Sequence, residues 1–288
     1  MPAQTGPSKR LTDLLTDARA GRVLVMGILN VTPDSFSDGG LHFAAAAAME
    51  GARRMAADGA HIIDVGGEST RPGAQQPTED EELRRVVPVV RAIAEVTETP
   101  VSVDTRRASV AAAALEAGAV MVKDVSGLCH DPAMLPLVAR AGCPVCIMHM
   151  RGEPADMQRA TGYSDVVAEV RAWLLQRAMA AEAAGVAPER IILDPGFGFA
   201  KTPEQNLALV RRLREIADLG YPVLMGASRK STLGLLLGGS PPDQRLEGTA
   251  AVSAIAIANG ASLIRVHDVR FMARVAAVAQ AVATNGAA

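Results

Sequence analysis

Short apolar runs alternate along the chain with longer stretches that mix alanine with polar residues. Eight runs rich in valine and isoleucine are predicted strands, at residues 23–30, 61–67, 101–105, 121–127, 144–150, 191–196, 222–228 and 262–268. Most of these runs are continuously apolar and do not alternate between apolar and polar residues. This pattern indicates strands buried on both faces, which is typical of parallel sheets.

Helix signals separate the predicted strands. Residues 203–219 form one predicted helix, because Thr202 can cap it, Pro203 suits its first position and Gly220 can end it. Further helices are predicted at 79–96, 109–117 and 164–184. Eight strand–helix units spaced by about 33 residues favour a closed barrel over an open sheet. The sequence therefore predicts the α/β class: a single-domain (β/α)8 TIM barrel at residues 22–288, preceded by a short N-terminal extension at residues 1–21.

Polar side chains stand where the predicted strands end. They are Asn30, Asp64, Asp104, Asp124, His149, Asp194, Ser228, Arg229, Lys230, Arg265, His267 and Asp268. In such barrels the active site lies at the carboxyl ends of the strands and in the loops that follow them. This repetition along all eight strands predicts an active site at that end of the barrel.

Three loops carry further signals. Residues 31–40 and 68–74 are polar, rich in glycine and proline, and longer than ordinary strand-to-helix loops. We expect both to be lids that exclude water from a substrate. The loop after the sixth predicted strand contains Phe197 and Phe199, and these offer two aromatic faces at the expected mouth.

Composition narrows the class of protein. The 288 residues are 49% hydrophobic, which argues against disorder. Their net charge of −2 argues against a basic surface that binds nucleic acid. No apolar run is long enough for a membrane span, and the first residues lack a signal-peptide core. Three cysteines are too few for a disulfide framework, so we expect a reducing, cytoplasmic setting. Cys143 and Cys146 are predicted to be core thiols, because no second ligand pair for zinc follows.

The charges at the strand ends suggest a substrate class. Asp104 and Asp194 are isolated carboxylates, each able to accept two hydrogen bonds from a flat ring with amino and ring N–H donors. Five basic residues near the same rim are candidate anion binders: Arg71, Arg229, Lys230, Arg265 and His267. Asn30 could offer an oxygen to Mg²⁺, which keeps several waters and phosphate oxygens as its other ligands.

Six segments in this order resemble the dihydropteroate synthase family. They are MGILNVTPDSFSDGG (26–40), DVGGESTRPGA (64–74), SVDT (102–105), LDPGFGF (193–199), SRKS (228–231) and RVHDV (265–269). The resemblance implies a pterin-binding TIM-barrel transferase of folate biosynthesis, the target of sulfonamides. Its reaction joins 6-hydroxymethyl-7,8-dihydropterin pyrophosphate to p-aminobenzoate and gives 7,8-dihydropteroate and pyrophosphate. The resemblance also implies a homodimer, to which the apolar segment 250–258 could contribute.

The resemblance carries roles over to matching positions. It implies that the pterin ring is held by Asp104, Asp194 and Lys230 and packed by Ile28 and Met148. It implies that Asn30, Arg71, Arg265 and His267 hold the pyrophosphate, with Asn30 on Mg²⁺. The p-aminobenzoate side would be formed by Phe36, Thr70, Arg71, Pro72, Phe199 and Ser231. The predicted catalytic residues are Asp104, Asp194, Lys230, Arg265 and His267.

Lys123 departs from the family pattern, which usually has asparagine at this position. An inward asparagine would both donate and accept a hydrogen bond at the pterin edge, whereas an ammonium only donates. If Lys123 points inward, it lies near Asp104 and Asp194 and can compete with the ring for them. An alternative function is therefore a catalytically weakened paralogue that binds pterin or serves as a dimer partner. A second alternative is a pterin-binding methyltransferase barrel, which the loops at 32–40 and 69–73 and the RVHDV segment disfavour.

Overall fold

The strands form one parallel eight-stranded sheet that curves into a barrel. The computed structural model describes residues 6–31, 40–69 and 76–284. The strands are β1 (Leu24–Asn30), β2 (Ile62–Gly66), β3 (Val101–Asp104), β4 (Met121–Asp124), β5 (Val145–Met148), β6 (Ile191–Asp194), β7 (Leu224–Met225) and β8 (Leu263–Val266). Their order in the sheet is β6-β5-β4-β3-β2-β1-β8-β7, and a parallel bridge between Leu193 and Val223 joins the two ends. All eight predicted strands are confirmed, and so is the (β/α)8 class.

Helices surround the barrel. Those of the described residues are α1 (Pro7–Arg19), α2 (Gly40–Ala57), α3 (Glu79–Val96), α4 (Ala108–Glu116), α5 (Met134–Ala141), α6 (Val166–Ala183), α7 (Pro203–Arg211), α8 (Arg214–Ala217), α9 (Ser231–Leu236), α10 (Leu246–Ala258) and α11 (Val269–Ala283). The predicted cap is present at α7, where the Thr202 hydroxyl accepts from the Gln205 N–H in a capping box.

The single helix predicted at residues 203–219 is wrong in its second half. Helix α7 ends at Arg211, and Arg212 has φ −107° and ψ 23°, outside the helical region. The Arg212 guanidinium instead bonds Asp165 at the start of α6 (3.0 Å) and Glu215 in α8 (2.6 Å). The bond to Asp165, which is distant in sequence, thus accompanies a break in a segment whose local signals are continuous.

Side chains that point outward from the strands pack beneath the helices and form the larger core. Val65, Val103, Val145 and Ile147 belong to this layer and are fully buried. Branched aliphatic residues suit both faces of a parallel sheet, which accounts for the continuous apolar runs in the sequence. Cys143 is buried and packs in this outer core, so that burial raises its pKa to about 11. Cys146 is also a buried thiol, in agreement with the prediction of core cysteines.

Helix α1 packs on the amino-terminal end of the barrel interior. Its apolar residues Leu11, Leu14, Leu15 and Ala18 share one helix face and are buried. They join a cluster with inward residues near the strand starts: Leu24, Met26, Ile62, Met121, Cys146, Ile192, Leu224 and Leu263. This helix therefore closes the end of the barrel opposite the expected site, while the division of the chain at residue 21 stays a prediction.

None of the helices in the described ranges is long and apolar enough to cross a membrane.

Candidate active site

Six charged side chains meet inside the barrel at the carboxyl ends of the strands. They are Asp64 on β2, Asp104 on β3, Lys123 on β4, Asp194 at the end of β6, Lys230 after β7 and Arg265 on β8. Every second strand residue faces the interior, so these positions lie above the apolar layer that includes Ile62, Met121 and Leu263. Three acidic and three basic groups thus lie above an apolar floor.

Arg265 bridges two carboxylates from neighbouring strands. Its Nε donates to Asp64 Oδ2 at 2.6 Å and its Nη2 donates to Asp104 Oδ2 at 2.9 Å. Asp64 is fully buried, and burial raises its pKa, an effect that the Arg265 guanidinium partly offsets. Asp64 therefore anchors Arg265 from below.

Lys123 points into the barrel and bonds the predicted pterin-binding carboxylate. Its Nζ donates to Asp104 Oδ2 at 3.0 Å, and only 3% of its side chain is exposed. Burial alone would raise the pKa of Asp104, but Lys123 and Arg265 outweigh it and hold that pKa below its ordinary value. Burial opposes the charge of Lys123, yet the Asp104 carboxylate raises the pKa of the lysine above its usual range. The inward orientation that the sequence left open is therefore observed.

Asp194 and Lys230 approach the same space from the other side of the barrel. Asp194 Oδ1 accepts from the Gly196 N–H at 2.8 Å. The Lys230 ammonium donates to the Phe197 carbonyl oxygen and lies 4.3 Å from the centre of the Phe199 ring. Burial lowers the pKa of Lys230 to about 7, although Asp194 acts in the opposite direction. Lys230 can thus change its charge near neutral pH.

The rim above these charges carries Asn30 and His267. A Cβ built on Gly66 would lie 3.5 Å from the Asp104 Cβ and 3.9 Å from Asn30 Oδ1, so Asn30 and Asp104 flank Gly66 at the mouth. His267 Nδ1 and Ser228 Oγ are 2.9 Å apart. Arg229 does not join this rim, because its guanidinium bonds Asp268 at 2.6 Å.

The residues predicted to line the pterin ring and p-aminobenzoate differ in how deeply they are buried. Ile28 and Met148 are buried, and Met148 packs in one cluster with Phe199. Ser231 is exposed at the start of α9. Phe197 does not offer a face at the mouth as expected, because it is fully buried in the outer core. Only its carbonyl oxygen serves the site, through Lys230.

Four predicted site residues lie outside the described residues: Phe36, Thr70, Arg71 and Pro72. The same is true of residues 32–39 and 70–74, which make up most of the two expected lids. Their roles stay predictions.

Two strand-end residues have other partners than the central charges. Asp124 holds its own loop by accepting from the Ser126 N–H at 2.7 Å and from the Leu128 N–H at 3.2 Å. His149 packs edge-on against Trp173, with ring centres 5.0 Å apart. Asp124 therefore stabilises its own loop, and His149 packs against helix α6.

Sequence reasoning missed Asp64 as the anchor of Arg265 and missed Lys201 altogether. The alternation of β2, where Ile62 and Asp64 share a face, could have indicated that Asp64 points inward. Lys201 is 3% exposed although it lies in a loop, and no local pattern distinguishes it from a surface lysine.

Known proteins share this architecture and these sequence segments. The family model described as "Pterin binding enzyme" matches residues 26–267. The chain is 49% identical over 260 residues to the dihydropteroate synthase of Synechocystis, with 90% of each chain covered. A Xanthomonas albilineans dihydropteroate synthase structure with 4-aminobenzoic acid has a TM-score of 0.85 at 48% identity, covering 91% of this chain and 93% of that one. The same enzyme in complex with 7,8-dihydropteroate has a TM-score of 0.82 at 45% identity, covering 91% and 94%. The barrel, the segments along it and these likenesses together assign the chain to the pterin-binding enzymes and, among them, to the dihydropteroate synthases, which are transferases.

Proposed function

We propose that this chain forms a bond between the methylene carbon of 6-hydroxymethyl-7,8-dihydropterin pyrophosphate and the amino nitrogen of p-aminobenzoate. The carbon–oxygen bond to pyrophosphate breaks, the amine loses a proton, and 7,8-dihydropteroate and pyrophosphate result. The observation that carries the proposal is the group of interior charges around Asp104, Asp194, Lys230 and Arg265 at the carboxyl end of the barrel. A relative that matches 90% of this chain is a dihydropteroate synthase, which supports the proposal.

The carboxylates suit the donor-rich edge of a pterin. Asp104 and Asp194 lie on opposite sides of the interior, and a carboxylate can accept two parallel N–H donors. Lys230 can donate to a ring oxygen or nitrogen from its place above Phe199. Ile28 and Met148 would line the faces of the ring, and their burial beneath the mouth supports this role.

The pyrophosphate would lie at the rim. Arg265 uses Nε and Nη2 for the carboxylates, so Nη1 is its nitrogen for a phosphate oxygen. His267 and, from the second expected lid, Arg71 would add donors. Cationic groups that meet a developing negative charge in a water-poor site stabilise the transition state strongly.

Mg²⁺ is a further part of the proposal. The described residues contain no group of three or more His, Cys, Asp or Glu side chains placed to hold a metal. Asn30 nevertheless fits Mg²⁺, because its amide oxygen is a hard donor at an exposed rim, and this ion needs few protein ligands beside water and phosphate. When bound there, the ion would neutralise charge on the departing pyrophosphate.

Binding and water exclusion are what the protein residues would contribute to the reaction. The electron-rich dihydropterin stabilises the carbon left by pyrophosphate, so no protein nucleophile is needed. Phe199 and Ser231 would flank p-aminobenzoate, together with Phe36, Thr70, Arg71 and Pro72. The lids at residues 31–40 and 68–74 would keep water from the reactive carbon.

A turnover assay tests this function. Protein, both substrates and Mg²⁺ should yield dihydropteroate and pyrophosphate in equal amounts. Asp104→Asn and Asp194→Asn should each lower kcat/KM, whereas Asp13→Asn, which alters an exposed pair with Lys9, should not. Absence of product from the folded wild-type protein would refute the proposal.

The pairing of Lys123 with Asp104 favours a second candidate function, a paralogue with weakened catalysis that binds pterin or partners another subunit. Complementation of a folate-requiring strain separates the two candidates. Growth at low expression supports the synthase, and growth that requires Lys123→Asn supports the weakened paralogue.

A homodimer is also proposed. Helices α9 and α11 both contact α10, and these helices, with Leu237 directly after α9, expose large apolar side chains: Leu235, Leu236, Ile255, Phe271, Val278 and Val282. Exposed apolar surface of this kind marks an interface. Light scattering should give twice the chain mass for the wild type and less for Phe271→Glu. A monomeric wild type at micromolar concentration would contradict the dimer.

A further inference from the structure

Lys201 is a buried lysine that lies outside the group of interior charges. It follows β6 by seven positions, and 3% of it is exposed. Its Nζ contacts three acceptors: the Gly196 carbonyl oxygen at 3.0 Å, the Phe199 carbonyl oxygen at 2.9 Å and His149 Nδ1 at 3.1 Å. Three acceptors can satisfy the three N–H donors of an ammonium, and burial lowers the pKa of Lys201 well below its usual value, although Asp194 acts in the opposite direction.

The His149 ring can act as the third acceptor. Burial, with Lys201 as the next cause, lowers the pKa of His149 to about 2, so its imidazole is neutral. In the tautomer with its proton on Nε2, a neutral ring presents the Nδ1 lone pair to the Lys201 amino group. Lys201 therefore links the end of β5 to both ends of the loop that follows β6.

That loop, residues 195–200, contains residues with positive φ angles, among them Gly196 and Ala200. Gly196 has φ +69°, and a Cβ on it would lie 2.0 Å from the His149 carbonyl oxygen. Ala200 has φ 51°, a left-handed conformation that is unfavourable for a residue with a Cβ. The two carbonyl groups that Lys201 binds flank this strained stretch, so the lysine holds it closed.

The same loop supports Lys230. The Phe197 carbonyl oxygen accepts from the Lys230 ammonium, and the Phe199 ring lies beneath it at 4.3 Å. A Cβ on Gly198 would lie 2.8 Å from Lys230 Cδ, so the loop backbone also touches the lysine stem. Any movement of the loop therefore displaces the ammonium that faces the pterin side.

We propose that Lys201 is a positioning residue for pterin binding: it fixes the 195–200 loop and, through Phe197 and Phe199, the Lys230 ammonium. This role rests on the proposed function, because it assumes that Lys230 meets the pterin. Lys201 itself would not touch substrate, since its donors are already used by the protein.

A double-mutant cycle on pterin binding tests the proposal. The variants are Lys201→Met, Lys230→Met and the double variant, and the probe is 6-hydroxymethylpterin in titration calorimetry. Lys201→Met should weaken binding about 10-fold, by analogy with groups that orient metal ligands, whose loss costs roughly 10- to 100-fold. In the Lys230→Met background the same change should have almost no further effect, because the group that it positions is gone.

Arg177→Met is the matched control. Arg177 also holds loop carbonyls, those of Gly127 at 2.9 Å and Leu128 at 3.2 Å, but its loop does not touch Lys230. This control should leave pterin affinity unchanged. If Lys201→Met fails to fold, Lys201→Gln, which keeps two amide donors, replaces it in the cycle.

The outcomes separate this inference from the proposed function. A folded Lys201 variant with wild-type affinity, or equal losses in both backgrounds, overturns the positioning role. A wild-type protein that binds no pterin instead contradicts the proposed function. Loss of affinity confined to the Lys230-containing background supports the inference.

Discussion

Replacing Lys123 by asparagine should strengthen pterin binding. In the structure Asp104 Oδ2 already accepts hydrogen bonds from two cationic groups, Lys123 Nζ at 3.0 Å and Arg265 Nη2 at 2.9 Å. A pterin that bonds this oxygen must displace one of them. Lys123→Asn removes the competing ammonium and returns an amide that can both donate to the ring and accept from it.

The size of the effect follows from the hydrogen bond between Lys123 and Asp104 that the variant loses. A hydrogen bond to a charged group contributes about 1.5–3 kcal/mol, and about 1.4 kcal/mol corresponds to a tenfold change in Kd. Loss of one such competing bond should therefore lower the Kd for pterin roughly 10- to 100-fold. Asp104 keeps Arg265, so the variant does not leave a buried carboxylate unpaired.

Titration calorimetry with 6-hydroxymethylpterin, on wild type and Lys123→Asn at one pH and salt concentration, measures this difference. Lys9→Asn is the matched control, because it removes a lysine from an exposed pair with Asp13 far from the barrel interior. Equal affinity, or weaker binding by Lys123→Asn with an unchanged melting temperature, would refute the competition argument.

The remaining predictions concern charge and packing. Lys230, with a pKa near 7, should lose its charge as pH rises through neutrality, so calorimetry should show weaker pterin binding at pH 8.5 than at pH 6, and Lys230→Met should abolish the difference. Because this pKa is lower in the folded chain, the contribution of Lys230 to the free energy of unfolding should increase above pH 7. Leu11→Ala should destabilise the protein by about 2–5 kcal/mol in urea, since it leaves a cavity under the barrel, whereas the exposed Met179→Ala should have little effect. The fluorescence of Trp173, the single tryptophan, should not change between about pH 5 and 8, because the neighbouring His149 stays neutral; a quenching transition near the ordinary histidine pKa would contradict this.

Local sequence determined most of the architecture. Continuous Val- and Ile-rich runs predicted all eight strands, because a parallel strand between two layers must be apolar on both faces. Thr202, Pro203 and the glycines after helices marked several boundaries correctly. The same reasoning predicted a site at the carboxyl ends of the strands and proposed Asp104, Asp194, Lys230 and Arg265 for it, and the structure brings these four side chains together.

Closure of the barrel decided the rest, because local sequence does not say which side chains from different strands meet in the interior. Asp104 and Lys123 became partners through the pairing of β3 with β4, whereas Asp124, one residue further, faces away and holds its own loop. Phe197 entered the outer core for the same reason. The Lys201 amino group bonds two carbonyl groups of its own loop, and the third partner, His149, comes from a distant part of the chain. Sequence determined the elements and the chemistry available, and long-range packing determined which charges meet.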